Sequence, residues 1–439
     1  MVINKSLIIT GCLFVMSQVY ASPDIQNWQT KNGADVYFVP SNDIPMVDVR
    51  IVFDAGSARD VEMGENLSGT ALMTNGLLSE GAAGDDAQVL AEKFEAVGAS
   101  FSNGSLKDMA WLSVRSLRND KYLQPALINL KNILTLPEFS KTSFNRELER
   151  LKISVKAGKQ SPSTIGSQRF YSELYGDHPY ALPSEGTEES LKKLELSHLK
   201  SFYKKYYVAK NAVISIVGQL TKAEAEKIAA DLVADLPAGQ HAKKLPDVKP
   251  LTESKTIHID FPSRQSSVLM GQVGLARGDA DYYALYLGNH AFGGSGFGSR
   301  LMQKVREERG LAYSVYSYFS PMHAPGPFMI GLKTRNDQLD EAMGIVKAEL
   351  DKYITQGPGI DELSDSLKNI TGGFPLRIDS NKKIVEYLSV IGFYNLPLDY
   401  LDTFVGNVNS QDKKAVDDAL KRRIQPEKML TVIVGAKGG

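Results

Sequence analysis

The feature that most limits how this chain can fold is that it repeats itself. Residues 118–120 read Arg118, Asn119, Asp120, and residues 335–337 read Arg335, Asn336, Asp337, an offset of 217. Each triplet follows an apolar run and precedes a helix-like pattern, at 123–134 and 339–350. The apolar segment 212–218 returns as 429–435 at the same offset, and Ala58, Arg59 and Asp60 have counterparts in Ala276, Arg277 and Asp279. Three matches in order at nearly one spacing describe a single unit of about 200 residues used twice. The join is legible too. Residues 236–250 hold three prolines and no apolar period, the signature of a linker. The expected organisation is therefore a first domain over 22–238, a linker over 239–257 and a second domain over 258–439.

Within each half the apolar signal switches between two periods. Residues 47–53, 111–117, 212–217, 267–273, 311–319 and 328–332 read as strands, whereas 67–78, 87–97, 123–134, 222–236, 282–292, 300–309 and 339–353 read as helices. The strands do not alternate regularly with helices as βαβ units would. The expected class is α+β, each domain a largely antiparallel sheet with helices packed on it.

The 50 Lys and Arg against 51 Asp and Glu give a net charge of −1, which supplies no basic surface for nucleic acid. The one cysteine, Cys12, lies within the first 21 residues. There Lys5, an apolar run at 7–16 and Val19, Tyr20, Ala21 form the pattern of a secretory signal cleaved after Ala21. A lipoprotein signal modified at Cys12 is the competing reading, and either places the chain in the periplasm or outside the cell. The apolar run is too short to span a bilayer and no later one is longer. With Cys12 gone, thiol catalysis, disulfides and cysteine-bound metal are excluded. The six histidines are His178, His198, His241, His258, His290 and His323, so none precedes residue 178. His178 reads as a turn residue. His290 has no second histidine or carboxylate four residues on, and no Gly-x-Ser-x-Gly motif accompanies any of them.

The stretch from Gly293 through Arg306, Gly310 and Tyr313 to Tyr316 closely resembles the second domain of the M16 peptidases, the family of pitrilysin, insulinase and mitochondrial processing peptidase. His178, Pro179 and Tyr180 followed by Gly186 and Thr187 resemble a second family stretch. Residues 69–82 stand where family members carry Gly-Leu-Ala and then His-x-x-Glu-His. The resemblance covers essentially the whole chain after the signal and implies two M16-like domains forming half of a clamshell.

Active members hold zinc through the two histidines of that motif, use its glutamate as general base and take a third ligand from a later glutamate. Here the histidine positions are Leu72 and Gly76, and the base position is Asn75. The third ligand would fall around 152–154, where no carboxylate stands; Glu149 is the nearest. The resemblance thus implies no catalytic residue and no zinc of the chain's own. What matches the family is Arg306 with Tyr313, a pair that in active members binds the substrate backbone and polarises the scissile carbonyl. Arg306 reads as the last turn of a helix, Gly310 as its left-handed cap and Tyr313 as the opening of a strand. Gly293, Gly294, Gly296 and Gly298 lack the spacing of a phosphate loop. They read either as a plain helix–helix connection or as a short version of the glycine-rich loop that crosses the substrate channel in the non-catalytic processing-peptidase subunit.

In the two-chain branch of the family one subunit carries zinc and the other the Arg/Tyr pair. The expectation is a zinc-less, pseudoenzyme subunit whose partner, in a heterodimer, is an M16 chain with His-x-x-Glu-His, the substrate being an extended peptide. The alternative is a non-enzymatic peptide-binding or scaffold protein of the same fold. A third reading is an unrelated metal or hydrolytic site in the chamber, which a metal analysis showing one tightly bound ion would favour.

Overall fold

The long apolar segments become the central strands of two sheets in the computed structural model, which describes residues 23–436. In the first half the strands are β1 (Gln26–Gln29), β2 (Asp35–Pro40), β3 (Met46–Phe53), the short pair β4 (Gly81–Ala82) and β5 (Asp85–Asp86), β6 (Ser100–Ser105), β7 (Ala110–Leu117) and β8 (Ala212–Gly218). The helices are α1 (Thr70–Leu77), α2 (Ala87–Glu95), α3 (Asp120–Thr135), α4 (Lys141–Gly158), α5 (Pro162–Tyr175), α6 (Glu188–Lys193), α7 (Leu196–Tyr206) and α8 (Lys222–Val233). The second half continues with β9 (Lys255–Asp260), β10 (Gln265–Val273), α9 (Tyr282–Asn289), β11 (Ser314–Phe319), β12 (Pro327–Arg335), α10 (Leu339–Gln356), α11 (Ile360–Gly373), α12 (Asn381–Phe393), α13 (Tyr400–Asn409), α14 (Lys413–Arg423) and β13 (Leu430–Gly435).

The first sheet runs β1-β2-β8-β3-β7-β6 and the second β11-β12-β10-β13-β9. All pairings are antiparallel except β2 with β8 and β9 with β13. In both sheets the strand that closes its half inserts between two others, β8 between β2 and β3 and β13 between β10 and β9, and the sixth and eleventh strands lie at an open edge. The repeated sequence is thus a repeated topology. The Arg-Asn-Asp triplets take matching places as well, since Arg118 pairs with Asp120 at 3.0 Å and Arg335 pairs with Asp337, ahead of α3 and α10.

Burial explains which strands sit in the middle. Every residue of β8 is buried, and β3 is buried apart from Met46 and Arg50. A strand covered on both faces carries an apolar run without alternation. One face of the first sheet is filled by its own helices: Leu123, Leu130, Ile133, Phe202, Ile228 and Leu232 pack with Val49, Ile51 and Ile214 in one core. The other face is covered by α12, a helix from the second half, which packs on β8 and β3. The exchange is reciprocal, because α5 of the first half packs on β13 and β10 of the second sheet. Phe170 and Leu174 of α5 share a core with Met329, Leu430, Val432 and Val434. Gly392 lets α12 lie this close, since a Cβ there would meet the Tyr37 ring at 2.5 Å.

A buried polar cluster ties the halves together. The Asp108 carboxylate, 3% exposed, accepts hydrogen bonds from the Tyr180 hydroxyl (2.5 Å), the Tyr394 hydroxyl (3.0 Å) and the backbone N–H of His323 (2.8 Å). Tyr180 in turn accepts from Ala324 N–H at 3.1 Å. Burial and the nearby Asp108 charge push both phenols well above their ordinary range, so they remain donors. Lys107, beside Asp108, donates to the carbonyls of Tyr180 and Leu182, and burial draws its ammonium down to about 8.

Candidate functional site

In the first half, α1 carries Leu72, Asn75 and Gly76. Its N-terminus is fixed from a distance. Asp60 accepts from the N–H groups of Gly69 and Ala71, both at 2.8 Å, and Gly69 turns the chain at φ +98°. These bonds satisfy helix donors that would otherwise be orphaned. Burial pushes the Asp60 carboxyl up, and the amides of Ala71 and Gly69 pull against it. Leu72 and Gly76, four residues apart, share one face of the helix. Leu72 is half-buried and Gly76 exposed, with nothing within 4 Å of where its Cβ would be.

Asn75 is turned inward and is 1% exposed. Its side-chain amide donates to the Tyr207 hydroxyl (3.2 Å) and the Trp111 carbonyl (3.3 Å), and its main-chain carbonyl accepts from the Asn103 side chain on the edge strand β6 (2.8 Å). On α4, Lys152 is half-buried and paired with Glu149 at 2.8 Å, while Ile153 and Ser154 are exposed. An aliphatic chain, an amide held by two hydrogen bonds and a glycine offer no donor set for zinc. Among the described residues, no group of three or more His, Cys, Asp or Glu is placed to hold a metal ion.

In the second half the connection between α9 and β11 is built from two wide helical turns. Residues 290–294 and 302–307 have π geometry, a form common at functional sites. The expected helix over 300–309 is therefore mostly a wider coil, with α geometry only at Arg300 and Leu301. It ends at Gly310 (φ +64°), whose N–H bonds the Arg306 carbonyl at 2.8 Å, and Leu311 bonds back to Val305 at 3.0 Å. The following strand is shorter than 311–319, because regular pairing begins at Ser314; Tyr313 N–H already bonds the Lys333 carbonyl at 2.9 Å.

This hairpin of helix and strand brings Arg306 and Tyr313 together. The Arg306 guanidinium lies 5.9 Å from the Tyr313 ring and 5.3 Å from the ring of Phe297. Tyr313 is 72% and Phe297 69% exposed, whereas Arg306 is half-buried between them and forms no ion pair among the described residues. A cation sandwiched by two exposed rings holds its fork of donors ready for a carbonyl or carboxylate.

Phe297, inside the glycine run, carries no sequence signal of its own beyond being the one large residue among four glycines. The glycines do different work. At Gly293 a Cβ would meet the backbone nitrogen of Ser317 at 2.7 Å, so only glycine lets this turn lie on β11. A Cβ at Gly294 would meet Asn289 Nδ2 at 2.8 Å, Gly296 takes φ +66°, and Gly298 is uncrowded. Together they make a short turn that presents Phe297 beside Arg306. Along β11, Tyr316 and Tyr318 project outward as a stacked pair, rings 6.0 Å apart. Of the histidines set aside on sequence, His178 does cap a turn, its Nδ1 accepting from Tyr180 N–H at 3.1 Å. His290 sits elsewhere, beside the glycine turn.

Comparison with known proteins agrees with this architecture. Residues 37–188 match the family model described as Insulinase (Peptidase family M16), and residues 193–370 match that of the Peptidase M16 inactive domain. The chain is 23% identical to the Non-peptidase homolog YmxG of Helicobacter pylori over 99% of both chains. It is 25% identical to the Uncharacterized zinc protease YmxG of Bacillus subtilis, over 81% of this chain and 85% of that one. Among solved structures, a peptidase M16 inactive domain from Pseudomonas fluorescens is 40% identical with a TM-score of 0.90, covering 94% of this chain and 98% of that one. A protease from Helicobacter pylori shares the fold at a TM-score of 0.87 and 17% identity, over 94% and 100%. With its two repeated sheets, a zinc helix stripped of donors and matches across both halves, the chain belongs to the M16 peptidase family as an inactive-type member.

Proposed function

We propose that this chain is the zinc-less subunit of a secreted or periplasmic M16 metalloendopeptidase. In this reading it lends Arg306 and Tyr313 to a partner chain that carries His-x-x-Glu-His. One observation carries it: among the described residues no cluster of metal donors is found and the zinc-motif positions are Leu72, Asn75 and Gly76, while in the other half Arg306 stands without an ion pair beside two exposed rings. A guanidinium committed to a structural role would be paired or covered. Here the Arg306 guanidinium, with one Nη 4.0 Å from Met302 Sδ, stands beside the exposed Tyr313, and the two could hydrogen-bond a peptide carbonyl and the charge that develops on it during attack. Hydrolysis itself belongs to the partner's metal. The peptide would lie extended, as sheet-edge recognition requires.

The test is reconstitution. The purified chain should be inactive and free of stoichiometric zinc, and activity should appear on adding an M16 chain with the intact motif. In that mixture Arg306→Ala or Tyr313→Phe should lower kcat about 10²–10³-fold, the usual cost of one transition-state donor. Peptidase activity of the chain alone, abolished by chelator, would defeat the reading. Sequencing of the mature N-terminus, expected at Ser22, tests the secretory assignment, which lies on residues outside those described. A second reading, a peptide-binding scaffold with no catalytic partner, is favoured by the same exposed aromatic surface. It predicts peptide binding that no M16 partner converts to cleavage.

A further inference from the structure

The two halves can be superposed in sequence through a hydrogen-bond pattern. In the first, the main-chain carbonyl of Asn75 on α1 accepts from the Asn103 side chain on the edge strand β6. In the second, Asn289 on α9 is bonded to Ser317 on the edge strand β11, through Asn289 Nδ2 to the carbonyl (3.1 Å) and Ser317 Oγ to Asn289 Oδ1 (2.7 Å). Both asparagines and both strand partners are 214 residues apart. The same step carries Leu72 to Tyr286 and Gly76 to His290. Where the first half presents an aliphatic chain and a glycine, the second presents a tyrosine and an imidazole. The helix corresponding to α4 is α11, and from it Asn369 reaches His290, with Oδ1 accepting from Nε2–H at 3.2 Å.

A cavity of about 460 Å³ opens at this place. Arg277 and Arg377 line it together with His290 and Ser295, and none of its lining residues is an aspartate or glutamate. Neither arginine forms an ion pair among the described residues. Each instead lies near a ring, Arg277 5.3 Å from that of Tyr394 and Arg377 5.9 Å from that of Tyr286, and Arg377 also hydrogen-bonds the Tyr286 and Tyr387 side chains. Arg277 Nε, His290 Nδ1 and Ser295 Oγ are all buried without a hydrogen-bond partner. Buried polar atoms are rarely left this way, and three in one cavity point to something they receive. Burial and the Arg377 charge lower the His290 pKa, against the pull of Asn369, which favours the neutral ring. With Nε2–H given to Asn369, its Nδ1 is an acceptor. The cavity therefore offers two planar cationic forks, one orphaned acceptor and aromatic walls.

We infer that this cavity is a receptor for the carboxyl-terminal residue of a peptide. The arginines would take the free carboxylate, His290 Nδ1 the N–H of the same residue, and the tyrosines its side chain. An inorganic anion would use the arginines but has no N–H for His290, and a side-chain carboxylate stands too far from its own backbone N–H to use both. The inference extends the peptide-binding reading, yet it is tested apart from any partner or activity.

The experiment follows the histidine Cε1–H resonances of the full chain by NMR, with the His290 signal assigned from His290→Gln. Four probes are titrated: N-acetyl-leucine, N-acetyl-leucinamide, N-acetylglutamate α-amide and inorganic phosphate. A saturable shift of the His290 signal with N-acetyl-leucine, at least tenfold weaker with the other three, supports the assignment. Arg377→Gln, at an exposed position, should weaken N-acetyl-leucine binding at least tenfold, and Arg377→Lys less. An unmoved His290 signal, equal response to the amide or to the side-chain acid, saturation by phosphate alone, or unchanged binding in Arg377→Gln overturns it. Failure here leaves the subunit reading standing, while loss of that reading on reconstitution leaves this shift in place.

Discussion

Replacing Asp108 by alanine should be the most damaging single substitution at the junction of the halves. The carboxylate is 3% exposed and accepts three hydrogen bonds, from Tyr180, Tyr394 and His323 N–H. The first comes from its own half and the other two from the second. Hydrogen bonds to a charged group contribute about 1.5–3 kcal/mol each, and a stranded buried donor costs about 1–3 kcal/mol. Tyr180 keeps its role as acceptor for Ala324, and local relaxation recovers part of the rest, so the expected cost is about 3–6 kcal/mol. At a slope of about 3 kcal/mol/M, the upper end for small proteins, that is a fall of about 1–2 M in the urea midpoint. Two probes should be read together. Trp28 and Trp111 both lie in the first half, so fluorescence reports that half, whereas far-ultraviolet circular dichroism reports the whole chain. Since each sheet is covered by the other half's helix, both signals should move by the same amount. Tyr394→Phe alone should cost about 1–3 kcal/mol, and markedly less once Asp108 is gone. A midpoint within 0.2 M (about 0.6 kcal/mol) of the parent would refute the reasoning, as would equal costs of Tyr394→Phe in both backgrounds.

Asp48 gives a pH-dependent prediction. Burial raises its carboxyl to about 6, despite Arg115 at 3.3 Å, and its Oδ2 has no hydrogen-bond partner. The folded state therefore holds a proton that the unfolded chain releases near pH 4, and stability should fall as pH rises from about 4 to 6. Asp48→Asn should remove that slope, matching the parent at pH 4 and exceeding it by about 1–3 kcal/mol at pH 7 in denaturation curves. Gly76→Ala, in a helix with open space around it, should stabilise by about 0.5–1 kcal/mol, whereas Gly293→Ala should destabilise by about 1–3 kcal/mol through its contact with Ser317. Leu72→His with Gly76→His should leave the fold intact and give weak zinc binding by calorimetry. No hydrolysis should follow, because Asn75, whose amide is bonded to the Tyr207 hydroxyl, cannot accept the water's proton; peptidase activity in that double variant would contradict the account of the first half.

What the sequence revealed follows the strength of the apolar signal. The central strands β3, β7, β8, β10 and β12 carry long runs, and each lies within three residues of its expected bounds. The edge strand β6, Ser100–Ser105, is polar and half-exposed, so its period is invisible. Helices α5 and α12 each show an apolar face, but a periodic face does not say which sheet it will meet, and both meet the distant one. The closeness of Arg306 to Tyr313 was readable because a cap and a strand start fixed the local path. Phe297 beside them was not, since its position depends on how tightly Gly293 lies on β11. His290 looked inert for a similar reason. Its neighbours Asn369, Arg277 and Arg377 come from elements 13 to 87 residues away, and no local spacing announces them.

The exchange of α5 and α12 between the sheets also bears on descent. A repeat that covers only its own sheet can be deleted, replaced or shed once it stops contributing chemistry. Here the metal-free half supplies the roof of the half that bears Arg306, and receives its own roof in return. Selection on the second half alone is therefore enough to retain the first, so the lineage can lose a catalytic centre but not the two hundred residues that once surrounded it.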